Sequence, residues 1–136
     1  MQVAHPNILA VIIMALVYMG IGGLWYSKGL FGKMWAECCS HHGKEKECSP
    51  STKCYIGCLI VAFITAYVLA YFINMSQAVT TGEGIKVALC AWIGFSATTM
   101  YSGVIWGKKP LKAYFIDAGF TLVMFIIWGA ILTNWR

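Results

Sequence analysis

The sequence predicts an all-α protein of the polytopic membrane class, a bundle of four transmembrane helices, and three observations carry that prediction. Hydrophobic types make up 60% of the 136 residues and charged types 11%, against roughly 45–50% and about 25% in soluble domains. The apolar residues gather into four runs, each near the ~20 residues that one helix needs to cross a hydrocarbon core. Charged residues fall almost wholly between those runs. A chain of this size could not hide so much apolar surface from water, so lipid is its natural solvent. Lipid offers no partners to backbone polar groups, which leaves helices or a closed barrel. Runs rich in Leu, Ile and Ala without strict alternation are helical.

The first span covers about residues 7–26. The segment before it, MQVAHP, lacks a basic n-region, and the apolar run is too long for a signal-peptide core, so the span is expected to be retained. Pro6 suits a first helical turn, where its missing N–H costs nothing. Trp25 and Tyr26 close the span, and Lys28 and Lys33 follow. Leu30, Phe31, Met34 and Trp35 then recur at short helical spacing, as in a turn or two of helix lying in the interface. Trp25, Trp35 and Trp106 are read as an interfacial belt, with Lys28 and Lys33 snorkelling to water beside it. The second span, about 55–73, carries Cys58, Ala62, Ala66 and Ala70 at spacings of four. The third, about 85–105, carries Cys90, Gly94, Thr98 and Ser102 at the same spacing. Membrane helices associate through close backbone approach at small residues. The two stripes therefore predict that spans two and three pack tightly on each other. The fourth span, about 114–133, enters after Pro110. Residues 1–136 form a single transmembrane domain with one long loop, 27–54.

Lysine placement predicts the orientation. Lys28, Lys33, Lys44, Lys46 and Lys53 lie in the first loop and Lys108, Lys109 and Lys112 in the third, while the opposite side has Lys86 and Arg136. The positive-inside rule puts loops one and three in the cytoplasm and both termini on the outer side. The formal charge of +5 then faces anionic headgroups. No basic helix or base-stacking module accompanies it, so the expected partner is the bilayer, with no nucleic acid.

Two motifs carry a resemblance. Gly22, Leu24, Trp25, Tyr26 and Ser27, followed by Phe31, Gly32, Lys33 and Trp35, form the first. Lys109-Pro110-Leu111-Lys112 with Phe115-Ile116-Asp117-Ala118-Gly119 forms the second. Together they resemble a family of small four-span bacterial membrane proteins, domain of unknown function 1761, over nearly the whole chain. The resemblance implies the fold and a bacterial cytoplasmic membrane, and it implies no activity. The long first loop, with its cysteines and histidines, departs from that pattern.

Chemistry concentrates at two places. Asp117 is the one acid inside any predicted span, and an ionisable group at bilayer depth is a functional candidate. Ser96, Thr98, Thr99, Tyr101 and Ser102 in the third span, Thr121 one turn after Asp117, and Tyr26 and Ser27 at the end of the first span are its expected companions in a polar binding pocket. Against this, Asp117 sits near the predicted inner interface, where it could snorkel toward Lys112 or cap a loop. The first loop holds Cys38, Cys39, His41, His42 and Cys48. Thiolates and imidazoles suit zinc or copper(I), and cytoplasmic thiols stay reduced, although no C-x₂-C pair is present.

The function these residues predict is small-solute binding or proton-linked transport, by a homo-oligomer because four helices leave little room for a pore. The alternatives are an accessory protein that binds lipid or partner helices, and metal handling by the first loop. No phosphate loop, Ser–His–Asp set or metalloprotease helix is visible, and His5, His41 and His42 all lie outside the spans. Enzymatic activity is not expected, nor any cofactor other than zinc or copper.

Overall fold

The computed structural model describes residues 5–26, 52–107 and 110–135. Asn7 starts the first helix: its side-chain oxygen accepts from the N–H groups of Leu9 (3.1 Å) and Ala10 (3.4 Å), two of the donors that a helix start leaves open. Helix α1 (Ile8–Trp25) follows. Pro6 lies ahead of the cap, outside the first turn, because Asn7 holds the capping position. Helix α2 (Thr52–Met75) ends in a turn where Gln77 takes a φ of 56°. Thr80 and Glu83 then form a reciprocal capping box, which starts helix α3 (Thr81–Ala91) a full turn earlier than the apolar run alone predicts. A π-helical turn (Trp92–Ala97) joins it to α4 (Thr98–Gly107). Pro110 caps the last helix, α5 (Leu111–Asn134).

Among the described residues, four rods are long and apolar enough to cross a membrane: Ile8–Trp25, Tyr55–Met75, Thr81–Gly107 and Leu111–Asn134. At ~1.5 Å per residue the first comes within about 3 Å of a hydrocarbon core of ~30 Å and the other three exceed it. The protein is an all-helical, multi-pass membrane protein.

Helix α5 is the axis of the bundle. It meets α1, α2 and the third rod, and 44% of its apolar stretch is buried, against 6% for the third rod. Phe120, Met124, Phe125, Trp128 and Leu132 of α5 form one cluster with Ala10, Val11 and Met14 of α1, Ala66, Leu69 and Ile73 of α2, and Ala88 of α3. The Trp128 indole N–H donates to the Met14 carbonyl at 3.2 Å inside that cluster. The Asn134 amide donates to Thr81 Oγ1 at 2.8 Å, so α5 ends beside the start of α3 and the two run antiparallel.

The expected pairing of spans two and three is corrected. Ala62, Ala66 and Ala70 are buried as a small stripe should be, but α2 lies closest to α1 and then α5. Cys58 is exposed, and so are Cys90, Gly94, Thr98 and Ser102. The third rod instead packs on α5 through another small pair, Gly84 and Ala88 against Gly129 and Thr133. A Cβ on Gly84 would lie 2.6 Å from the Gly129 carbonyl oxygen, and one on Gly129 would lie 2.8 Å from both Ala88 Cβ and the Gly84 carbonyl oxygen. Cys90 comes six residues after Gly84, about 240° further round at 3.6 residues per turn, so its stripe faces away. The π turn then shifts the phase of everything after it.

This contact gives a direct stability prediction. Gly84→Ala places a methyl group against backbone and a β-branched side chain, and should cost about 1–3 kcal/mol. Gly94→Ala, with open space at its Cβ, should stabilise or change little. Midpoints of SDS-induced unfolding measured by circular dichroism compare the two.

Candidate functional site

Near the C-terminal end of α1, residues 18–26 wrap around one ring of α5. Gly22 is half-buried because the Phe120 ring lies 3.3 Å from where its Cβ would stand. With that space open, Tyr18, Trp25 and Tyr26 surround Phe120 at ring-centroid distances of 4.9, 6.2 and 5.6 Å. Trp25 lies over Gly119, 3.5 Å from its would-be Cβ, and donates its indole N–H to the Ile116 carbonyl at 3.2 Å. The Tyr26 hydroxyl donates to Asp117 Oδ1. The described parts of the two stretches that carry the family resemblance, residues 22–26 and 115–119, therefore meet in one contact.

Trp25 ends its span and also makes a helix–helix contact. Its indole is half-buried and turned onto α5, with its N–H bonded to the Ile116 carbonyl. Trp106 is 86% exposed on the bundle surface. Trp35, Lys28 and Lys33 lie outside the described residues.

The π turn meets α5 at two points. Trp92 donates its indole N–H to Thr121 Oγ1 at 2.9 Å, and the Tyr114 hydroxyl donates to the Ala97 carbonyl at 3.1 Å. Thr121 in turn donates back to its own helix at the Ala118 carbonyl, 3.0 Å away. On the other side the turn stands off from α2. The gap is a cavity of about 180 Å³, lined by Tyr18, Val61, Ala62, Thr65, Ser96, Thr121, Met124, Phe125 and Trp128. It lies near the middle of the rods. Val61 is 59% exposed and Ser96 half-buried, so the cavity reaches the outer face of the bundle between α2 and the π turn. Tyr18 joins it to the α1–α5 contact, its ring centroid 4.9 Å from that of Phe120.

Of the expected pocket residues, Asp117, Thr121 and Tyr26 come together. Thr98, Thr99 and Ser102 are exposed and do not join them. The Thr98 hydroxyl donates to the Gly94 carbonyl at 2.9 Å and that of Ser102 to Thr99 at 2.7 Å, both within their own rod. Tyr101 is also exposed and meets Tyr114 edge-on at 5.4 Å. The row that holds Thr98 and Ser102 is exposed already at Cys90, ahead of the π turn. Ser27 and the first-loop set Cys38, Cys39, His41, His42 and Cys48 lie outside the described residues. Among the described residues no three His, Cys, Asp or Glu side chains gather as a metal site would require. Tyr18, Thr65, Trp92 and Trp128 were not singled out by sequence. A signal existed for Tyr18: it precedes Trp25 by seven residues, two helical turns, and so shares its face.

Fold and site together define a four-helix membrane protein with an interior cavity open on one side of the bundle. Its family follows from the whole-chain match. The chain belongs to the family described as "Protein of unknown function (DUF1761)", whose model matches residues 9–133. No curated protein and no solved structure matches the chain.

The Tyr114 hydroxyl contributes a hydrogen bond that holds the π turn to α5. Tyr114→Phe should lower stability by about 0.5–1.5 kcal/mol. Tyr101→Phe, whose hydroxyl has no hydrogen-bond partner among the described residues, should leave it within about 0.5 kcal/mol. Unfolding midpoints in SDS again report the difference.

Proposed function

We propose that the protein binds a small, largely apolar molecule drawn from the bilayer, in the cavity between α2 and the π turn. The cavity itself carries this reading. At about 180 Å³ it is somewhat larger than the roughly 150 Å³ apolar void that accepts benzene in an engineered soluble protein, so one substituted ring fits. Its apolar wall of Val61, Ala62, Met124, Phe125 and Trp128 and its few hydroxyls have the usual composition of a small-molecule site. The opening faces the surface that lipid would cover, which makes the bilayer the source of the ligand. The π turn at its rim is a feature that recurs at functional sites.

This reading keeps the binding half of the solute hypothesis and needs neither a pore nor an oligomer. A proton-linked step would fall to Asp117, one turn before the cavity-lining Thr121. The same reading sets the protein in a bacterial inner membrane with the lysine-rich ends of the rods toward the cytoplasm, on the strength of the loop charges. A second reading, association with another copy of the chain, is favoured by the third rod, of which only 6% is buried.

Bromobenzene, a heavy-atom quencher of indole, tests the binding reading through Trp128 in the cavity wall. Quenching in detergent micelles should saturate for the wild type. It should become linear in Thr65→Phe, which fills the cavity from α2 without entering the Phe120 cluster. Linear quenching in both proteins would mean partitioning into the micelle alone and would overturn the proposal.

A further inference from the structure

We infer that the ligand of this cavity is a neutral molecule carrying a hydrogen-bond acceptor such as a ketone or quinone carbonyl, received by the hydroxyls of Tyr18 and Ser96. The inference rests on the binding reading above and deepens it.

The donors on the cavity wall fall into two groups. Four lining residues bear hydroxyls and one bears an indole N–H. Trp128 donates to the Met14 carbonyl at 3.2 Å. Thr65 donates to the Val61 carbonyl at 2.8 Å and Thr121 to that of Ala118 at 3.0 Å. This back-bonding is the ordinary solution for a hydroxyl on a helix that lacks other partners. Tyr18 and Ser96 differ, since neither hydroxyl makes a hydrogen bond among the described residues. Ser96 belongs to the π turn. A Tyr hydroxyl cannot reach back to its own helix as a Thr can. In a hydrocarbon setting an O–H with no acceptor carries a desolvation cost of about 1–3 kcal/mol. Two such donors at one cavity leave a site that lacks an acceptor.

The same account sets the rest of the ligand. Among the described residues no charged side chain lines the cavity, so an ionised ligand would have no counter-charge in a low-dielectric wall. The aromatic lining favours a ring: Tyr18 stacks on Trp128 at 5.7 Å and 24°, and Phe125 meets Trp128 at 5.6 Å. An aryl ketone or small quinone combines these requirements.

Acetophenone and α-methylstyrene have the same heavy-atom count and nearly the same shape, and differ in a carbonyl oxygen against a methylene. Each is titrated against bound bromobenzene, with concentrations expressed for the micelle phase. Acetophenone should displace the quencher about three- to tenfold more effectively. Tyr18→Phe and Ser96→Ala, each removing one oxygen, should shrink that preference, while displacement by α-methylstyrene stays as it was. Equal displacement by the two probes in the wild type would overturn the acceptor inference and leave the binding reading standing. A preference that persists undiminished in both variants would overturn the assignment to these hydroxyls. Displacement by neither probe, with bromobenzene still saturable, would reject a carbonyl ligand of this size, and loss of saturation as well would remove the binding reading itself.

Discussion

A helix in lipid has few ways to recognise its neighbour, because the surrounding chains are as apolar as its own side chains. Close backbone approach and hydrogen bonds between helices remain. This protein uses both at the contact between α1 and α5. Gly22 lets the Phe120 ring reach the α1 backbone, and Gly119 does the same for Trp25. The Trp25 indole and the Tyr26 hydroxyl then find acceptors at Ile116 and Asp117. Further along, Trp128 returns the connection to Met14. Each donor ends on the other helix, so the two helices hold a fixed register. The third rod is then seated on α5, and α2 against both α1 and α5.

The third rod takes the opposite part. Gly84, Ala88, Gly129 and Thr133 seat one end of it on α5, where a methyl group more would not fit. From Trp92 onward the π turn changes its course, and Trp92 and Tyr114 tie the altered backbone to α5. The cavity follows from these two arrangements. Helix α2 follows α1, the third rod follows α5, and the space between them is left for Tyr18, Thr65, Ser96 and their apolar neighbours to line. Asp117 then reads as part of a polar seam between the α1–α5 contact and the cavity wall, since Tyr26 bonds it and Thr121, one turn on, lines the cavity.

How much of this was legible beforehand depends on what each signal measures. Span number and approximate limits come from apolar length, which membrane thickness sets directly, and they match the helices found. The start of the third rod lies at Thr81 because the Thr80–Glu83 capping box overrides hydropathy, and that four-residue pattern was open to reading. Small-residue stripes proved ambiguous. Ala62, Ala66 and Ala70 are buried as expected, but the stripe from Cys90 to Ser102 is exposed along its length, because Gly84 and Ala88 on another face seat the rod. Nothing in WIGFSA announces the π turn that follows them. The Trp25 contact is hidden for another reason: an indole at a span end suits headgroups and a neighbouring carbonyl equally well, and only the second helix reveals the carbonyl. Asp117, Thr121 and Tyr26 were recognisable as a set, whereas the cavity depends on the spacing of helices that no local pattern encodes.

The central claim is that the Tyr26–Asp117 contact joins α1 to α5. A double-mutant cycle with Tyr26→Phe, Asp117→Ala and the double variant, read from SDS unfolding midpoints, measures it most directly. The account predicts a coupling energy of about 1 kcal/mol or more. Additive effects, with coupling below about 0.3 kcal/mol, would contradict it.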